Sequence, residues 1–132
     1  MISALNEIEV ITLFVEDVSA AKTFYQDVFG LKVVYQDEVS AVMKLQNLMI
    51  NLLNVAEAPK LVEPATVTNL GQRSRMLLTI KVADTIAVCA ELERHGVQLL
   101  NGPIDRPWGR RTAAFPDPDG NIWEVAQELT RD

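Results

Sequence analysis

The chain has 132 residues, 48% of them hydrophobic, with 12 Lys and Arg against 18 Asp and Glu and a formal charge of −6. This is the size of one domain, expected over residues 1–132, and such a domain can bury a core without disulfides or a structural metal. The one cysteine, Cys89, excludes an intramolecular disulfide framework and a Cys-based zinc site, and the acidic balance counts against nucleic acid as a partner.

The first residues, MISALNEIEV, have neither the basic start nor the apolar run of a secretory signal, and no stretch approaches 18 apolar residues. A soluble, cytoplasmic protein with no membrane partner is therefore expected. Taken in chain order, a first β-type run covers 9–15. A helix follows, with Ala21, Phe24, Val28 and Leu31 at spacings of three and four, Ser19 as its N-cap and Gly30 as its left-handed terminator. Strand patterns then occupy 31–37, 41–46 and 48–54. Residues 56–75 contain Pro59, Pro64 and Gly71 without sustained periodicity and read as a linker. A further strand covers 76–82. The second helix has Asp84 as N-cap, Val88 and Leu92 inward and Gly96 at its end, and strands at 97–100, 110–115 and 121–127 complete the chain.

This order repeats. Thr12 lies over Thr79, Val15 over Val82 and Asp17 over Asp84 at a constant offset of 67 residues, and Gly30 lies over Gly96 at 66. The unit is βαβββ, used twice, over about 7–55 and 76–129. Strand alternation sends Ile11, Leu13 and Val15 to the helix side and Val10, Thr12 and Phe14 to the other. In the second unit it sends Leu78, Ile80 and Val82 inward and leaves Leu77, Thr79 and Lys81 opposite. Ile50, Leu52, Trp123 and Val125 fall on the helix side, and Met49, Asn51, Leu53, Ile122, Glu124 and Ala126 on the other. If two such sheets curl toward each other, Val10, Asn51, Leu77 and Glu124 converge.

Val15-Glu-Asp-Val18, Phe24-Tyr25 and Phe29-Gly30-Leu31 in the first unit, with Asp117-Pro-Asp-Gly-Asn-Ile-Trp-Glu124 in the last hairpin, resemble the vicinal oxygen chelate superfamily. That group includes glyoxalase I, extradiol dioxygenases and the fosfomycin- and bleomycin-resistance proteins. The resemblance covers nearly the whole chain and implies an α+β fold: two βαβββ modules form an open cup-shaped mixed sheet, with the helices on the outer face. It also implies a homodimer and a small-molecule ligand in the cup. Metal-using members place His, Glu or Gln at the four converging positions, whereas this chain has Val10, Asn51, Leu77 and Glu124. One carboxylate and one amide are too few for Zn²⁺, Ni²⁺ or Fe²⁺, so no metal and no cofactor are expected. His95, the sole histidine, suits the end of the second helix.

The expected function is thus metal-free binding of a hydrophobic or aromatic compound, as in the bleomycin-resistance type. The expected ligand contacts are Val10, Thr12, Phe14, Met49, Asn51, Leu77, Thr79, Trp108, Arg111, Phe115 and Glu124, with Met43 and Leu53 as further apolar lining. Two alternatives stand beside it. One is a lyase, isomerase or dioxygenase with Glu124 as catalytic base or residual ligand; the other is an accessory or regulatory protein acting through its dimer surface. Glu124 itself could be bonded to Thr79 or a backbone group, paired with an arginine, or free for a ligand. Of Arg110 and Arg111, alternation turns one inward and leaves open which. Asp117-Pro-Asp-Gly-Asn121 reads as a hairpin turn and not a calcium loop, because its Gly stands at the fourth position where an EF-hand needs it at the sixth.

Overall fold

The computed structural model describes residues 3–4, 6–65, 67 and 76–129. The chain divides into two compact units, Met1–Thr68 and Asn69–Asp132, with the same architecture. In unit 1, β1 (Val10–Val15), α1 (Val18–Asp27), β2 (Lys32–Gln36), β3 (Ser40–Lys44) and β4 (Met49–Asn54) build a four-stranded sheet of order β1-β4-β3-β2. β1 runs parallel to β4 and the other pairs are antiparallel. A 3₁₀ turn at Val55–Glu57 and α2 (Pro59–Val62) occupy the start of the expected linker, the rest of which lies largely outside the described residues. In unit 2, β5 (Leu77–Lys81), α3 (Thr85–Arg94), β6 (Asn101–Arg106), β7 (Arg110–Pro116) and β8 (Ile122–Glu128) repeat the order as β5-β8-β7-β6.

The two long helices, α1 and α3, each start on an aspartate. The extended Asp17 accepts from the Ala20 N–H at 3.0 Å, and Asp84 accepts from the Ala87 N–H at 3.1 Å. The cap expected at Ser19 is therefore corrected to Asp17, since Ser19 already lies inside the helix. A side-chain oxygen at this position satisfies one of the helix's unpaired amides, so Asp84→Ala is expected to cost about 1 kcal/mol. Urea denaturation checks this, and an unchanged midpoint would show that the cap contributes nothing.

The helices α1 and α3 each pack on one face of their own sheet. Leu13, Val15, Ala21, Tyr25, Ala41, Met43, Ile50 and Leu52 are buried in unit 1, where the Tyr25 and Phe29 rings lie 5.0 Å apart. Cys89, Leu92, Phe115, Trp123 and Val125 are buried in unit 2, and α3 contacts β6, β7 and β8. Burial, followed by the charge of Glu93, pushes the Cys89 thiol pKa up, in keeping with a small packing residue.

The strand expected at 97–100 is absent, and β6 forms instead at Asn101–Arg106. The apolar run is used to close α3: Gly96 takes φ +78°, its N–H bonds to Glu93 O at 3.0 Å, and the Val97 N–H bonds to Leu92 O at 2.9 Å. This helix-ending motif brings the residue after the glycine onto the last turn, which is where Val97 is buried. Gly102 and Pro103, which look like breakers, are carried inside β6 because it is an edge strand with an irregular register between Asn101 and Ile104.

Candidate functional site

The sheet face turned away from the helix carries Asn51 in unit 1 and Glu124 in unit 2. In unit 1 it presents Val10, Thr12 and Phe14 from β1, Met49, Asn51 and Leu53 from β4, and Ser40, Val42 and Lys44 from β3. That parity follows from the register, which pairs Thr12 and Val42 with Asn51, and Met43 with the helix-side Ile50. Leu53 is buried, Thr12, Phe14, Met49 and Asn51 are half-buried, and Val10 is on the border of exposure. Asn51 Oδ1 is buried and has no hydrogen-bond partner among the described residues. A buried acceptor left unpaired costs roughly 1–3 kcal/mol, so the amide is positioned at a net cost that a donor on a ligand would relieve.

In unit 2 the corresponding face carries Leu77 and Thr79 from β5, Glu124 and Ala126 from β8, and Arg110, Thr112 and Ala114 from β7. Thr79 and Glu124 are register partners, and the Thr79 hydroxyl donates to Glu124 Oε1 at 3.0 Å. Of the options open for this carboxylate, the structure thus shows the threonine bond. Ala114 is the other neighbour of Glu124, and its small side chain leaves the carboxylate half-buried. Arg110 pairs with Glu128 at 3.3 Å, and Arg106 Nε donates to the buried Thr112 hydroxyl at 3.0 Å. The Arg106 guanidinium also lies 5.9 Å from the ring centroid of Trp108, which is 64% exposed at the tip of the β6–β7 hairpin.

Three expected lining residues lie on the opposite face. Arg111 is the register partner of Gln127 and Phe115 of Trp123, both on the helix side; Gln127 accepts from the Thr85 N–H at the start of α3. Met43 joins the helix-side core of unit 1 with no exposure. Arg111 is held there by Asp105, to which it donates at 2.6 and 3.1 Å. Those bonds hold the Asp105 carboxyl below the usual carboxylate range and raise the guanidinium pKa. Arg110 is therefore the arginine that shares a face with Glu124. The Arg106–Thr112 bond is not legible in the sequence because the strand that carries Arg106 is expected at 97–100 and forms at Asn101–Arg106.

The donor set is thin. Val10 and Leu77 offer no donor atoms, Asn51 offers an amide and Glu124 a carboxylate already bonded to Thr79. Among the described residues no group of three or more His, Cys, Asp or Glu side chains could hold a metal ion. His95 is the exposed C-cap of α3. The Asp117–Asn121 segment closes on itself. Asp117 Oδ1 accepts from the Asp119 and Asn121 N–H groups at 2.9 and 2.8 Å, which is a hairpin turn and not a cation loop.

Two βαβββ units, each an open four-stranded sheet backed by one long helix, define a fold class shared with known proteins. The chain belongs to the Glyoxalase/Bleomycin resistance protein/Dioxygenase superfamily, whose family model matches residues 7–125. Its fold is similar to that of a glyoxalase/bleomycin resistance protein/dioxygenase from Nocardioides, with a TM-score of 0.84 at 18% identity over 98% of this chain and 91% of that one. A glyoxalase-related enzyme from Fulvimarina pelagi is similar at 27% identity and a TM-score of 0.80, covering 94% of this chain and 89% of the other. The Bacillus subtilis (strain 168) protein YraH is 40% identical over 58 residues, 43% of this chain and 45% of its own length. The match thus spans about half of that curated relative. No helix among the described residues is long and apolar enough to cross a membrane.

Proposed function

We propose that this protein binds a small hydrophobic or aromatic molecule against the helix-free sheet faces, without a transition metal, and acts by sequestering it. The observation that carries this is the make-up of each face: in unit 1 apolar Val10, Phe14, Met49 and Leu53 share the face with Asn51, whose Oδ1 has no hydrogen-bond partner among the described residues, and in unit 2 Leu77, Ala114 and Ala126 share it with the Glu124 carboxylate bonded to Thr79. Mostly apolar walls with a few placed polar groups are the usual make-up of a ligand site. Metal-dependent chemistry lacks its donors here, since such sites need about three protein ligands. In this proposal the two units serve one domain, and the protein works as a cytoplasmic homodimer.

A thermal-shift screen of aromatic compounds and organic acids tests it. A ligand at 100 times its dissociation constant adds about 2.7 kcal/mol, which for a domain of this size raises the melting temperature on the order of 10 °C. Asn51→Leu is expected to remove most of that shift for the best ligand. Silence across a broad screen would contradict the proposal and favour an accessory protein acting through its surface.

An enzymatic reading draws on the Thr79–Glu124 hydrogen bond. It fixes one carboxylate oxygen and leaves Oε2 with no partner among the described residues, an arrangement suited to a general base. If turnover of a screened compound is found, Glu124→Gln should abolish it with the melting temperature retained; full activity in that variant would rule the base out.

A further inference from the structure

The end of unit 1, where α1 leads into β2 and β3 turns toward β4, holds an open groove of about 490 Å³ whose lining includes Leu31, Lys32, Val34, Lys44 and Leu45. Its charge is unusual for this chain. Lys32 and Lys44 are direct register partners across β2 and β3, so two ammonium-bearing side chains rise from neighbouring positions on one side of the sheet. Directly opposed residues have Cβ atoms about 4.5–5.5 Å apart, and like charges placed so are destabilising. Neither lysine makes a salt bridge among the described residues, although acidic side chains outnumber basic ones 18 to 12 over the whole chain.

The apolar part is exposed at Val34 and half-buried at Leu31 and Leu45. The register of β2 shifts between Val33 and Tyr35, and the extra residue there, Val34, is 54% exposed where it lines the groove. Bulges on edge strands re-aim a side chain in this way. Leu31 and Leu45, the chain neighbours of Lys32 and Lys44 at the end away from Val33 and Met43, add to the apolar lining. Two adjacent cations bordering an apolar strip complement a carboxylate head on a hydrocarbon body, and the groove volume is within the range of small-molecule sites.

We propose that this groove binds a free amphipathic carboxylic acid, its carboxylate between Lys32 and Lys44 and its chain along Leu31, Val34 and Leu45. The anion removes the repulsion between the two ammonium groups, and the chain covers the exposed valine. Lys32 and Lys44 stand on the same helix-free face as Met49 and Asn51 but at its β2 edge; none of the groove's lining residues belongs to the sheet-face site proposed above, and the proposal does not depend on that site.

Titrating the full chain with octanoate, followed by amide chemical shifts, tests the proposal. Saturable shifts centred on residues 30–34 and 44–46 are expected, with 1-octanol binding at least tenfold more weakly. The double variant K32Q/K44Q should weaken octanoate at least tenfold and bring it level with octanol. Octanoate affinity unchanged in K32Q/K44Q, no saturable binding, or shifts centred on Thr12, Asn51, Thr79 and Glu124 would each overturn it. The last outcome would leave the sheet-face proposal standing, while groove shifts with a silent aromatic screen would do the reverse.

Discussion

Alanine at Gly102 is expected to destabilise the protein by roughly 2–6 kcal/mol, the sum of an overpacked contact and a left-handed backbone at about 1–3 kcal/mol each. A Cβ built there would stand 2.5 Å from Thr112 O and 2.6 Å from Ala113 Cα, distances at which backbone must move, and Gly102 has φ +92°. The neighbouring strand cannot yield easily. Thr112 and Ala113 lie in the middle of β7, paired to Ala126 and Val125 of β8 on their other side, and both are buried. Gly96 provides the control, because it has φ +78° but nothing within 4 Å of its would-be Cβ. Gly96→Ala should therefore cost only the backbone part, about 1–2 kcal/mol. Urea denaturation of both variants checks the contrast, and equal losses would show that the close approach at Gly102 carries no energy.

Asp117→Ala should cost roughly 3–5 kcal/mol. Asp117 is 5% exposed and accepts from two backbone amides through Oδ1, while Oδ2 accepts from Asn121 Nδ2 at 2.9 Å. Hydrogen bonds to a charged group contribute about 1.5–3 kcal/mol each, and their loss would leave buried amides unpaired. The backbone adds to this closure, since the Asp117 N–H bonds to Asn121 O at 2.8 Å and the Gly120 N–H to Asp117 O at 3.1 Å. Asp117→Asn keeps an acceptor oxygen and should lose less than half as much. A loss below about 1 kcal/mol for the alanine variant would mean that the turn is held by its backbone alone. The functional consequence lies two residues on from β8's first residue: the turn sets the register of Ile122 against Pro116, and hence the position of Glu124 opposite Thr79.

Much of this arrangement is written in short-range pattern. The offset between Thr12 and Thr79 and between Asp17 and Asp84 reveals the duplicated unit, and period-two alternation places Asn51 and Glu124 on the helix-free faces. The same offset also carries the cap that residue preference misplaces: Asp84 is an N-cap, and Asp17 is its counterpart, while Ser19 has no counterpart role. What local pattern does not carry is pairing. Val97 to Leu100 look like a strand by composition, but Val97 is recruited to close α3, and the edge strand forms over Asn101–Arg106 despite its glycine and proline. Once β6 is misplaced, Arg106 drops out of view. Arg111 and Phe115 show the other limit, because alternation says that neighbours face opposite ways and only the register with Gln127 and Trp123 says which way.

The DPDGN segment illustrates how a family-like motif relates to function. Its residues carry much of the resemblance, yet its carboxylate is spent on the turn. The residues proposed for binding are the ones least marked in sequence, a valine, a leucine, an asparagine and a glutamate at positions related by the repeat.

On the proposed reading these positions bind a small molecule without a transition metal. Metal content of untagged protein, measured after incubation with Ni²⁺, Zn²⁺, Mn²⁺ and Fe²⁺ and dialysis, tests it most directly. The expected result is far less than one equivalent of each, with Glu124→Gln indistinguishable from the parent. One equivalent of any of them, retained through dialysis and lost in Glu124→Gln, would contradict it.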